Sequence, residues 1–218
     1  DTLFINSGVY AEELKNPLPS GLSASQPTKM TGPAADRPII QPMTSKNGGY
    51  IILLNSNRTH ITFENLVLDA TVMPVVNSAL TTNSATIITN LVLQDCEAIG
   101  RTGAARTAAA VTIGNNTQAT VRRCSIHGWS SDTPDPGAHG FYWRGSNGLI
   151  EFNRIYDNNG YGLQFYNAAG GVNNNVFRNN YVFGHNGKGG LFIGSGNGNL
   201  AYNNIIVNNN GGMGGIRV

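Results

Sequence analysis

IEFNRIY, residues 150–156, is the stretch on which the reading of this chain turns. Variants of it recur as FENLVLD (63–69), ITNLVLQ (88–94), VRRCSIH (121–127), FRNNYVF (177–183) and AYNNIIV (201–207). The first residues of the six copies lie 25, 33, 29, 27 and 24 positions apart. A repeat of this length around a strand-like core is the signature of a solenoid, in which each coil stacks only on its neighbours. Aligning the copies gives the inward side chains. The leading slot holds Phe63, Ile88, Val121, Ile150, Phe177 and Ala201. Three residues on come Leu66, Leu91, Cys124, Asn153, Asn180 and Asn204, and two further on Leu68, Leu93, Ile126, Ile155, Val182 and Ile206. The change from a spacing of three to one of two marks a bend between two short strands.

The last three Asn are expected to stack as an internal ladder, because a buried amide left without partners costs about 1–3 kcal/mol. In this alignment Cys96 and Cys124 occupy different positions of the repeat and need not stack. A buried, inert thiol is the reading for Cys124, with a Cys96–Cys124 disulfide left open. A third strand follows a glycine-rich turn in each later coil: Val111-Thr-Ile-Gly, Phe141-Tyr-Trp-Arg, Leu163-Gln-Phe-Tyr, Leu191-Phe-Ile-Gly and Ile216-Arg-Val. Short strands with no helical pattern between them predict an all-β fold, a single-stranded parallel β-helix. The outward positions of the third strand are Thr112, Tyr142, Arg144, Gln164, Tyr166, Phe192 and Arg217.

Composition agrees. Charged residues make up only 12% of the 218, while Gly and Asn supply 28 and 29. Those two types serve the left-handed backbone conformations that a coil needs at its corners. A net charge of +2 with no run of like charges argues against a nucleic-acid footprint. No apolar run is long enough for a transmembrane helix. One domain is expected over 1–218, irregular over 1–60 and regular over 61–218. In the first part Asp1–Tyr10, Arg37–Pro42 and Tyr50–Asn55 read as strands, and Lys15–Ala35 as a long excursion. Both ends fall inside strands, which suggests a fragment of a longer chain or end-to-end stacking of copies.

DTLFINSGVYAEEL at the start resembles the opening coil of pectin-lyase-like right-handed parallel β-helix proteins. GSNGLIEFNRIYDNNGYGLQFY and GNGNLAYNNIIVNNNGGMGGIRV are similar to the Asn-rich repeats of that superfamily. The resemblance implies right-handedness and an extracellular, cell-surface or periplasmic location. Its members include lyases, hydrolases and epimerases of acidic polysaccharides, phage tailspikes and surface proteins. The hydrolase signatures are missing: no adjacent Asp pair occurs, and the nearest strings are Ala138-His139-Gly140 and Arg154-Ile155-Tyr156. Asp135-Pro-Gly-Ala-His139 matches the epimerase string only in part.

A uronic-acid lyase needs a group that neutralises the substrate carboxylate and a base for the C5 proton. The excursion Gly128–His139 and the strand after it carry suitable types. Arg144 would hold a carboxylate, His139 would take the proton, and Asp132 and Asp135 would bind Ca²⁺. The same residues also suit a plain solvated loop. Tyr142, Gln164, Tyr166 and Phe192, with Trp129 on the excursion, form the candidate sugar-binding surface, although aromatics also serve simply as strand formers. Asp69, Gln94, His127 and Tyr156 read as one outward column, with Asp95 and Asp157 beside it, suited to a cation or to turn backbone. Arg122, Glu151 and Arg178 read as a structural charge ladder, and Arg154 as a cation–π partner of Tyr181. Two functions follow: a surface or filament-forming β-helix that binds glycans or its own copies through open ends, or a uronic-acid polysaccharide lyase.

Overall fold

A computed structural model describes the chain except residues 45–48, 103–108, 131–136 and 213. Three parallel sheets, each of eight strands, run its length. Every coil contributes one strand to each sheet in turn. Coil one comprises Thr2–Phe4, Val9–Tyr10 and Leu14–Lys15; coil two Thr28–Thr31, Ile39–Ile40 and Tyr50–Leu54. Coil three is Arg58–Glu64, Val67–Asp69 and Ser78–Thr82; coil four Ile88–Gln94, Glu97–Ile99 and Ala109–Ile113. Coil five is Thr117–Arg122, Ser125–His127 and His139–Trp143; coil six Leu149–Glu151, Arg154–Tyr156 and Tyr161–Phe165. Coil seven is Val176–Arg178, Tyr181–Phe183 and Gly189–Ile193; coil eight Leu200–Tyr202, Ile205–Val207 and Ile216–Arg217. The parallel β-helix expected from the repeat is therefore the fold, and no helix occurs among the described residues.

Two expectations are corrected. Lys15–Ala35 is not one excursion, because Thr28–Thr31 pairs with the strands on both sides of it in the first sheet. The copy at 88–94 is also misaligned. Phe63 pairs with Leu93, and Leu93 with Val121, so the corner after Phe63 repeats at Gln94–Ile99. The true slot order is Leu66, Cys96, Cys124, Asn153, Asn180 and Asn204, and the two cysteines share one position in adjacent coils. Local pattern misled because ITNLVLQ copies FENLVLD in apolar character, while pairing is decided by which residues fill the interior. Both cysteines are buried and free.

The core is the stack of inward side chains. Phe63, Leu93, Val121, Ile150 and Phe177 come from the first sheet, and Leu68, Ala98, Ile126, Ile155 and Val182 from the second. Val111, Phe141, Leu163 and Leu191 come from the third, all buried. Each corner is closed by its own amide ladder in the later coils. Between the first and second sheets, Asn153 and Asn180 each accept a backbone N–H from the coil before. Asn153, Asn180 and Asn204 donate to the carbonyls of Val121, Ile150 and Phe177 at 2.8–3.0 Å. Between the second and third sheets the slot holds Asn158, His185 and Asn209. Between the third sheet and the next coil it holds Asn175 and Asn199.

The glycines before the third strand are not turn residues. Gly140, Gly162 and Gly190 lie inside strands, and a Cβ on them would meet Ile155, Val182 and Ile206 side chains at 2.6, 2.5 and 2.4 Å. The strands consequently start two residues earlier than the apolar pattern suggests, which brings His139 and Tyr161 into the sheet.

Candidate functional site on the outer face of the third sheet

Parallel register puts Thr112, Tyr142, Gln164, Phe192 and Arg217 in one outward column. Thr112 is buried, bonded to the Ser78 hydroxyl at 3.0 Å, so the accessible surface begins at Tyr142. Around the column the rings form a connected series. His139 lies 6.0 Å from Tyr142 and 5.6 Å from Tyr161, and Phe192 lies 5.2 Å from Tyr161 and 6.2 Å from Tyr166. Cations sit on these rings: Arg144 on Tyr142 at 5.2 Å, Lys188 on Tyr161 at 5.9 Å and Arg217 on Phe192 at 5.2 Å. A ring quadrupole attracts a cation by about 0.5–1 kcal/mol at exposed sites without cancelling its charge. The outer face thus carries positive charge on aromatic supports spread over four coils.

Arg144 follows the strand His139–Trp143, anchored by its backbone N–H to Ile113 O at 2.9 Å. Its Nε is buried and makes no hydrogen bond among the described residues. His139 is placed differently from expectation. It belongs to the strand, is buried, and its Nδ1 accepts the Tyr161 N–H at 2.8 Å. That bond puts the ring proton of the neutral imidazole on Nε2. Gly160 makes room for the ring, since a Cβ there would lie 2.3 Å from Nδ1. Gln164 is half-buried between Tyr142 and Phe192, and Tyr166 is exposed at the edge.

Trp129 is not part of this surface. It is wholly buried, with its backbone N–H on Asn158 Oδ1 and its indole N–H on Ala98 O. A large ring at the corner slot that Asn158 and His185 fill in later coils packs inward, whatever the loop after it does. Asp132 and Asp135 lie outside the described residues. Tyr161 and Lys188 were missed from the sequence. A strand expected to begin at Leu163 hides Tyr161, and Lys188 stands in a Gly-rich stretch with no apolar period to orient it.

The second candidate group comes apart. Gln94 lies in the first sheet between Glu64 and Arg122, and Ile99 takes the place assigned to it between Asp69 and His127. Asp69 accepts from Gln41 at 2.6 Å, Asp95 pairs with Arg123 at 2.7 Å, and His127 meets Glu97 at 3.0 Å. His127, Tyr156 and Phe183 stack on one another at 4.5 and 5.0 Å with nearly parallel planes, closing their faces to ligands. Arg154 lies over Tyr156 and Phe183, not over Tyr181. No cluster of three or more His, Cys, Asp or Glu is assembled among the described residues.

The first sheet's outer face contrasts with the third. Arg122, Glu151 and Arg178 do stand in one column, with Arg178 on Glu151 at 2.7 Å and Arg122 on the Gln94 side-chain oxygen. Burial works to raise the Glu64 carboxyl. Hydrogen bonds from Lys29, Gln94 and Thr31, with the Lys29 charge, outweigh it and hold the group below the usual carboxylate value. Charge on this face is spent internally, as a structural ladder of modest worth.

Residues 109–217 match the family model described as the right handed beta helix region. No curated protein sequence matches the chain. Among solved structures, the pectate lyase Pel9A superposes with a TM-score of 0.63 at 10% identity, over 84% of this chain and 45% of that one. An alginate lyase from Paenibacillus sp. str. FPU-7 superposes with a TM-score of 0.53 at 10% identity, over all of this chain and 90% of that one. At such identity the likeness is one of fold, and the chain spans less than half the length of Pel9A. Among the described residues no helix is long and apolar enough to cross a membrane. A parallel three-sheet solenoid with stacked corner amides, matched by that model over half its length, belongs to the right-handed β-helix family.

Proposed function

We propose that this is an extracellular β-helix that binds an acidic polysaccharide along the outer face of its third sheet. The observation that carries the reading is the series of cations held on rings there: Arg144 on Tyr142, Lys188 on Tyr161 and Arg217 on Phe192. Tyr142, Tyr166 and Phe192 offer apolar surface to sugar C–H groups, Tyr161 being buried, and the cations attract carboxylates. Successive coils rise by about 4.8 Å, so the series offers repeated contacts to an extended polymer. Binding to polygalacturonate or alginate, read by calorimetry, should weaken at least about tenfold in Arg144→Ala and Phe192→Ala, which is about 1.4 kcal/mol. Equal affinity in both variants would remove the third sheet from the reading.

The fold likeness to a pectate lyase and an alginate lyase supports a second reading, β-elimination at the same face. Arg144 then neutralises the substrate carboxylate. His139 carries its ring proton on Nε2, because Nδ1 accepts the Tyr161 N–H, so it donates to the departing glycosidic oxygen and is not the C5 base expected from the sequence. Unsaturated uronides absorb near ~235 nm, and release of that absorbance, lost in His139→Ala and Arg144→Ala, is the result this reading requires. A flat trace with both polymers leaves binding alone.

A further inference from the structure

One aromatic residue stands among polar ones at the corner between the first and second sheets. In six successive coils this position holds Asn65, Asp95, Arg123, Phe152, Asn179 and Asn203, all left-handed with φ between 52° and 57°. Asn and Asp relieve that conformation by local hydrogen bonding, whereas an aromatic side chain has no such means. Phe152 nonetheless stands there with 55% of its surface exposed. Among the described residues no other ring and no cation stacks on it, unlike the rings of the second and third sheets.

Beside it lies a shallow concavity of about 510 Å³, lined by Phe152, Arg154, Asn179, Tyr181 and Asn203 over the buried ladder amides. The side chains of Asn179 and Asn203 make no hydrogen bond to described residues. Arg154 is fixed at the rim over Tyr156 and Phe183 at 5.1 and 5.2 Å. Arg123, the preceding corner residue, reaches away to Asp95 through two bonds of 2.7 Å.

The geometry points to a second carbohydrate site at this corner, taking one pyranose unit of a glycan. A pyranose has an apolar C–H face and a rim of hydroxyls. An uncovered phenyl ring bordered by two amides, a phenol and a guanidinium complements both. Keeping an exposed ring on strained backbone runs against stability, as binding sites commonly do. The corner faces away from the third sheet, so the two surfaces do not compete, and this site does not depend on the third-sheet reading.

Titrating tetragalacturonate, and separately cellotetraose, into ¹⁵N-labelled protein tests it. At least one sugar should shift the amide signals of Phe152, Asn179 and Tyr181. Phe152→Asn should weaken that response at least tenfold while leaving thermal stability equal or higher, since Asn restores the corner's usual residue. Tyr142→Ala should leave the corner signals responding. Absence of corner shifts with both sugars would overturn the site, as would an unchanged titration in Phe152→Asn. A Phe152→Asn variant that loses self-association in sedimentation, with sugar titration unaltered, would make the ring a contact between copies and also overturn it.

Discussion

In coils three to five the corner between the first and second sheets is filled by Leu66, Cys96 and Cys124; in coils six to eight, by Asn153, Asn180 and Asn204. The backbone makes the same demand in both halves. Cys96 Sγ lies 3.7 Å from Phe63 O and Cys124 Sγ 3.6 Å from Leu93 O, the positions that the amides of the later half reach at 2.8–3.0 Å. What differs is the second hand. A thiol is a weak donor with little to give in return, while each amide also accepts an N–H from its neighbour. The thiol half is held by packing and the amide half by a continuous polar chain. The third sheet's outer series of rings and cations begins in coil five and lies mostly over the amide half.

The largest test is to remove the middle of that chain. Asn180→Leu leaves the Asn153 N–H and the Ile150 carbonyl without partners, and should cost about 4 kcal/mol in urea unfolding. A loss no greater than that of Cys124→Ala would erase the distinction between the halves. Next comes acid. His185 stands in the neighbouring ladder, and burial pushes its pKa from 6.5 down to about 4, with hydrogen bonds to Asn158 and Ile155 opposing. Below pH 6.5 the unfolded chain takes up a proton that the folded chain refuses, so stability is full above that pH and falls as pH drops toward 4. The loss should reach about 3 kcal/mol and disappear in His185→Asn, measured by urea unfolding at pH 7 and pH 4. An equal acid loss in the variant would show that His185 does not carry it.

The smallest effects belong to the thiols. Cys124→Ala should cost about 1–2 kcal/mol, chiefly for lost packing. Burial, aided by Cys124, pushes the Cys96 thiol well above its ordinary pKa. Both cysteines are buried, so neither should react with a thiol reagent until the protein unfolds. Rapid labelling of the native protein would show that the thiol half opens more readily than its packing implies.

Much of this was legible in the chain. The Asn153–Asn180–Asn204 ladder, the charge column and the outward set Tyr142, Gln164, Phe192 and Arg217 follow from alternation, because a strand's faces are set by counting residues. The placement of Cys96 was not. ITNLVLQ has the right apolar period at the wrong phase, and only pairing with Phe63 and Val121 fixes the register. Trp129 on the excursion looked accessible, yet its ring belongs to a corner slot. His139 looked like a loop residue because Gly140 reads as a turn. Its lack of a side chain instead accommodates Ile155 within the strand.

By itself, then, the sequence determined a parallel three-strand coil and which late-coil side chains point outward, since both depend on local periodicity and on turn chemistry. Only the tertiary structure decided which coil lies on which and that the cysteines share a slot. It also decided that cations rest on rings across the third sheet and that Phe152 stands uncovered. Each of those is a relation between residues some 20–30 positions apart, fixed by the packing of one coil against the next.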